Sequence, residues 1–272
     1  MKELLRKMHT WMTGYMNQFV TDDEEVMQGI RIKTEHTGYV TAIARELAQH
    51  LRLSEHDVQL AEMMGLFHDV GRFRQYSIYK TFNDSQSEDH ADLGLKVLAE
   101  EMPYMGDLSA EDADLLCYAI KFHNKKEIPA DAAGRRLLFA RLLRDADKLD
   151  IYRVLSPFLD PEKADQAPRF MKAKSTDLIS PEFIKAFAAG EQADYRKLKT
   201  LGDRRLVRLL WVYDVNFGWT LKKMVERGYI QKVIDHLPEQ EGVQTGVDRL
   251  WAYIKKKCAA TDDVSAYIKE RI

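Results

Sequence analysis

Apolar residues along this chain recur at three- and four-residue spacing almost everywhere, and the two-residue alternation expected of strands is scarce. The pattern predicts an all-α fold, with helices at about 2–19, 23–51, 54–69, 88–102, 109–123, 134–155, 182–189, 203–227 and 243–258. Ser54 followed by Asp57, and Ser109 followed by Asp112, resemble capping boxes that set the phase of the helices behind them. Pro157, Pro161, Pro168 and Pro181 fall within 156–181, a stretch with few apolar residues. It reads as a long irregular connection, of a kind that often covers an active site. The expected organisation is a helical domain over 1–155, this connection, and a helical subdomain over 182–272 packing on the first. Within the latter, LVRLLWVYDVNFGWTLKKM reads as a packing helix.

Helical phase then sorts the polar groups. Counting from His36 reaches Val40, Ile43, Ala44 and Leu47; from His90, Leu93, Gly94, Val97 and Leu98; back from His123, Ile120, Ala119, Leu116 and Leu115. All three histidines therefore end inward-facing apolar stripes. His68 and Asp69 sit at the expected end of the third helix, with Gly71 in the place of a left-handed terminating residue. At such an end both side chains can converge on one point. Asp147 shares its stripe with Phe139, Ala140, Leu143, Ile151 and Val154, whereas Asp145 shares a face with Arg141 and Lys148, and Asp150 lies beside Arg153. Asp147 is the expected buried carboxylate. His9, His50, His56 and His236 fall outside the pattern and are assigned to the surface or to caps.

Composition narrows the chemistry. The 41 Lys and Arg against 43 Asp and Glu leave a formal charge of −2, which argues against duplex nucleic acid or an anionic membrane as a general partner. Cys117 and Cys258 are far apart, so neither a disulfide framework nor a thiolate metal site is expected, and a reducing cytoplasm fits best. The N-terminal segment lacks the apolar run of a signal peptide, and no stretch is long enough to span a bilayer. A buried carboxylate such as Asp147 needs a partner, and a divalent cation supplies one. Imidazole and carboxylate donors suit Mn, Fe, Ni, Co or Zn.

The lone His36, the doublet in GLFHDVGRF and the Asp of RDADKLD together resemble the H…HD…D signature of HD-superfamily metal-dependent phosphohydrolases, over roughly residues 25–155. The resemblance implies an HD-domain helical bundle in which His36, His68, Asp69 and Asp147 hold one metal. His90 and His123 lie where the two-metal members, such as the HD-GYP phosphodiesterases and the YqeK-like dinucleotide hydrolases, place two further histidines. They would hold a second ion, bridged to the first by Asp69. The GYP motif is missing and HDVGR stands in place of HDIGK, so the substrate of the HD-GYP group does not carry over.

The implied reaction is hydrolysis of a phosphate ester or anhydride, in a nucleotide or another phosphorylated small molecule, by a metal-activated hydroxide. Asp69, Arg72 and Lys148 are the expected catalytic groups. Arg72, Lys80, Asn124, Lys125, Lys126 and Lys148 are the expected phosphate contacts. By the resemblance, the DKLD lysine touches phosphate and Tyr152 lines the pocket. A catalytically silent HD module that binds a nucleotide or a protein partner is the alternative, and an iron-dependent oxygenase, a third possibility, ranks below hydrolysis. Homo-oligomerisation is left open.

Overall fold

The computed structural model describes residues 1–159, 163, 176–191, 193–194 and 197–268. Among these residues the fold is all-α, as expected, with helices, 3-10 turns and no strand. Two compact units are present: Met1–Ile151 together with a C-terminal segment from Asp263, and Tyr152–Asp262. No helix among the described residues is long and apolar enough to cross a membrane.

In the first unit, α1 (Lys2–Asn17) buries Leu5, Met8, Met12 and Tyr15 and sets Trp11 edge-on to Phe67 of α3 (Glu55–Phe67), with ring centroids 6.1 Å apart. The long α2 (Glu24–His50) starts under an Asp23 cap that accepts from the Glu25 and Val26 amides, and packs along α3. Next come α4 (Val70–Tyr79), α5 (His90–Glu101) and α6 (Ala110–His123), with α4 on α5 and α5 on α6. The last long helix, α7 (Gly134–Leu155), contributes Leu138, Phe139, Ala140, Leu142, Leu143, Ala146 and Leu149 to the core. Arg144 fastens α7 to the end of α6 by donating to the Phe122 carbonyl at 3.1 Å.

The structure departs from the apolar pattern at two places that matter for the site. The third helix ends at Phe67 rather than Asp69, and α4, which the pattern does not suggest, begins directly behind it. Gly71 is not a left-handed terminator but the second residue of α4. A Cβ at Gly71 would lie 2.2 Å from the His90 carbonyl oxygen and 2.5 Å from the Gly94 amide, so only glycine lets α4 and α5 approach this closely.

The Ser54 and Ser109 caps form, each accepting from the amide three residues on at 3.1 Å. The reciprocal halves are spent elsewhere: Asp57 on Arg135, and Asp112 on His56 and the Ser109 hydroxyl. A full capping box occurs instead at Thr200 and Asp203.

The second unit holds α8 (Pro181–Ala189), α9 (Leu201–Leu210), α10 (Gly218–Glu226), α11 (Tyr229–Asp235) and α12 (Val243–Ala259). The segment 203–227, expected as one helix, is broken. A 3-10 turn over Trp211–Asp214 follows α9, and Asp262 accepts from the Gly218 and Trp219 amides at 2.7 and 3.0 Å, starting a new helix there. The expected 156–181 connection opens with a 3-10 turn over Ser156–Leu159. Pro161, Pro168 and most of its length lie outside the described residues. A final short α13 (Ser265–Ile268) belongs with the first unit, where Tyr267 meets Arg141.

Candidate metal centre

The bend between α3 and α4 is what makes the doublet work as a pair. Neighbouring residues of one helix diverge by about 100°, but His68 closes α3 and Asp69 opens α4, so both turn inward and both are buried. Around them the chain gathers His36 from α2, His90 from the first turn of α5, His123 from the last turn of α6 and Asp147 from α7. Two ligand sets result: His36, His68 and Asp147, and Asp69, His90 and His123.

The imidazoles meet in twos. Nε2 of His36 lies 3.2 Å from Nε2 of His68, and Nε2 of His90 lies 3.0 Å from Nε2 of His123. Each Nδ1 is already committed to an acceptor: His36 to Asp150 at 2.6 Å, His68 to the Gly65 carbonyl at 2.8 Å, His90 to Asp84 at 2.7 Å and His123 to the Ile120 carbonyl at 2.7 Å. A neutral imidazole carries one N–H, so with Nδ1 donating every Nε2 presents a lone pair. Two lone pairs about 3 Å apart repel unless a proton or a cation stands between them. This donor set therefore fits divalent ions.

Asp69 divides between the pairs. Its Oδ2 lies 3.5 Å from Nε2 of both His36 and His68, while Oδ1 lies 3.4 Å from His90 and 3.9 Å from His123. Asp147 Oδ1 joins the first pair only, 3.1 Å from His36 and 3.8 Å from His68.

The electrostatics follow from burial against charge. Burial drives the His123 pKa down to about 3, helped by the neighbouring His90 and His68, and it lowers His90 as well, so both rings are neutral at pH 7. Burial would also lower His36, but Asp147 and Asp150 outweigh it and hold that ring above its ordinary value. Burial would raise Asp69. Lys33, His68 and Arg72 more than reverse this and hold its carboxyl well below the usual range.

The six expected ligands thus come together, and three residues without a clear sequence signal complete the centre. Lys33 places its Nζ 2.6 Å from Asp69 Oδ2. Asp84, in the turn between α4 and α5, and Asp150 are the carboxylates behind His90 and His36. The adjacent Arg153 masks Asp150 in the sequence, yet Ala146, Leu143 and Leu142 stand four, seven and eight residues before it, the signature of an inward position. Asp145, expected on a charged face with Arg141 and Lys148, is fully buried as well.

The expected phosphate contacts are placed unevenly. Arg72 donates to Asp84 at 2.7 Å and to the Phe82 carbonyl at 2.7 Å, with its Nε 3.5 Å from Asp69 Oδ1. Asn124 and Lys125 both reach Asp89, at 3.1 and 2.5 Å, and Asp89 itself caps α5 in front of His90. Lys126 is exposed beside Glu127, and Lys80 is exposed at the left-handed C-cap of α4. Lys148 follows Asp147 and is half-buried. The Tyr152 hydroxyl donates to the Arg208 carbonyl, and its ring stacks with Tyr229 at 6.3 Å between centroids.

Residues 34–152 match the family model described as HD domain, a span that holds all six candidate ligands together with Asp84 and Asp150. No curated protein and no solved structure matches the chain.

Proposed function

We propose that this protein, which belongs to the HD domain family through residues 34–152, hydrolyses a phosphate ester or anhydride of a nucleotide at a dinuclear metal centre. One observation carries the reading: two imidazole pairs, each with converging Nε2 atoms, face different oxygens of the single carboxylate Asp69. His36, His68, Asp147 and Asp69 Oδ2 would hold one ion, and His90, His123 and Asp69 Oδ1 the other. Divalent ions in such a site lower the pKa of bound water toward neutrality and offset charge on the attacked phosphoryl group.

The protein's part is orientation and charge. Asp150 and Asp84 fix the tautomers and planes of His36 and His90, and the Gly65 and Ile120 carbonyls do the same for His68 and His123. Arg72, locked by Asp84 and Phe82, gives the second half a positive wall that suits an anionic substrate. Lys148, next to Asp147, is the second cation we assign to the phosphate. Both cysteines are free thiols, which accords with a cytoplasmic site of action.

The reading is tested by stripping the protein with chelator, reloading it with Mn²⁺, Fe²⁺ or Ni²⁺, and following phosphate and nucleotide products across mono-, di- and cyclic dinucleotides. Metal-dependent turnover is expected, with His68→Ala and Asp69→Ala losing both metal and product while helix content by circular dichroism is kept. Saturable nucleotide binding with no product under any of these metals would instead favour a catalytically silent module.

A further inference from the structure

Lys33 stands three residues before His36 on α2, so the helix carries both to one side of the centre. Its Nζ contacts Asp69 Oδ2, the oxygen turned toward His36 and His68, and the side chain keeps 17% of its accessible surface. The ammonium also lies 5.5 Å from the centroid of the Phe82 ring, a cation–π contact beside its ion pair with Asp69. Neighbouring cations are differently engaged: Arg72 is drawn to Asp84, and Lys125 to Asp89 and Asp92. Lys33 alone of these three makes its closest ion pair with a carboxylate that is also a metal ligand.

An ammonium and a divalent cation on the same oxygen repel, and in a buried site that repulsion is only weakly screened. Once the ion is in place, Asp69 shares its charge with the metal and the ammonium loses most of its reason to stay. It is left partly exposed and without a full counter-charge, which is the condition under which an amine binds a phosphoryl oxygen.

We propose that Lys33 is the resident counter-ion of Asp69, that a divalent cation displaces it, and that the displaced ammonium then binds the phosphoryl group of the substrate. The first step rests only on the metal site, and the second rests on the phosphohydrolase reading. Together they impose an order in which metal loading precedes tight binding of the anion.

The experiment uses the full chain as wild type, Lys33→Met and Lys33→Arg, each freed of metal and titrated calorimetrically with Mn²⁺. Each Mn²⁺-loaded protein is then titrated with inorganic phosphate. Methionine keeps the apolar stem against Phe82, and circular dichroism checks the fold. Lys33→Met is expected to bind Mn²⁺ roughly fivefold more tightly, because a competing positive charge is gone, and phosphate roughly tenfold more weakly. Lys33→Arg is expected to keep most of the phosphate affinity. Weaker Mn²⁺ binding by Lys33→Met would make Lys33 a positioning residue for Asp69 and overturn the displacement. Unchanged phosphate affinity would overturn the anion role. A wild-type protein that takes up no Mn²⁺ would overturn the metal reading itself, a result separable from either.

Discussion

Nδ1 of His36 donates to Asp150 Oδ2 at 2.6 Å, joining two residues 114 positions apart in sequence. The bond orients the ring so that Nε2 faces His68, and it makes the imidazole a stronger metal ligand. Asp150→Ala is expected to weaken metal binding to the His36 half by about 10–100-fold, the usual cost of losing such a support. Asp84→Ala is expected to do the same to the His90 half. Metal stoichiometry at limiting Mn²⁺ checks both, since each variant should retain one tight ion where the proposed centre would hold two.

Gly71 bears on the same geometry through the backbone. Its missing Cβ leaves room for the His90 carbonyl and the Gly94 amide, neither of which can swing aside as a flexible side chain would. Gly71→Ala should therefore cost about 3 kcal/mol or more of stability. By pushing the start of α5, it should also move His90 away from His123. Urea denaturation reports the first effect and metal stoichiometry the second.

Metal uptake should depend on pH unequally in the two halves. The proton that Asp147 and Asp150 help retain on His36 must leave before Nε2 can bind an ion, whereas His90 and His123 are shifted downward and stay neutral through the neutral range. Affinity at the His36 half should fall as the pH drops through neutrality, while the His90 half changes little until more acidic pH. Calorimetry in buffers of different ionisation enthalpy should detect the proton released in the first case.

In the second unit the carboxylate of Asp203 accepts from the Ser180 amide at 2.7 Å, the Ser180 hydroxyl at 2.9 Å and the amides of Lys199 and Thr200 at 3.0 and 3.1 Å. Burial would raise its pKa, but these donors hold it below its ordinary value. A depressed acid contributes stability that is present above its unfolded pKa and lost as the pH falls through the folded one. Asp203→Asn should thus cost about 2 kcal/mol at pH 7, and the gap from wild type should narrow below about pH 4. Denaturation curves at the two pH values measure the change.

The candidate ligands are legible in the sequence because His36, His90 and His123 each end an apolar stripe and helical phase alone turns them inward; the order of His36, the doublet and Asp147 adds the family resemblance. Supporting groups are harder to see. Asp84 sits in a turn, where no period says which way a side chain faces. Lys33 belongs to the charged edge of an amphipathic helix, and only the fold brings Asp69 against it. The helix α4 is hidden because Gly71 looks like a stop signal when its actual constraint is a contact with another helix. Likewise the break after Leu210 depends on Asp262, a residue too distant in sequence for any local pattern to register.

Asp69 serves both halves, but the halves are not equal partners. The first counts four protein donors with Asp147 among them, and the second counts three. Fewer anchors mean faster exchange, so the ion beside His90 and His123 is the one that a chelator should strip first and that trace metals in a cell would most readily replace. The identity of that looser ion, set by supply more than by the protein, would then tune how the protein responds to metal starvation.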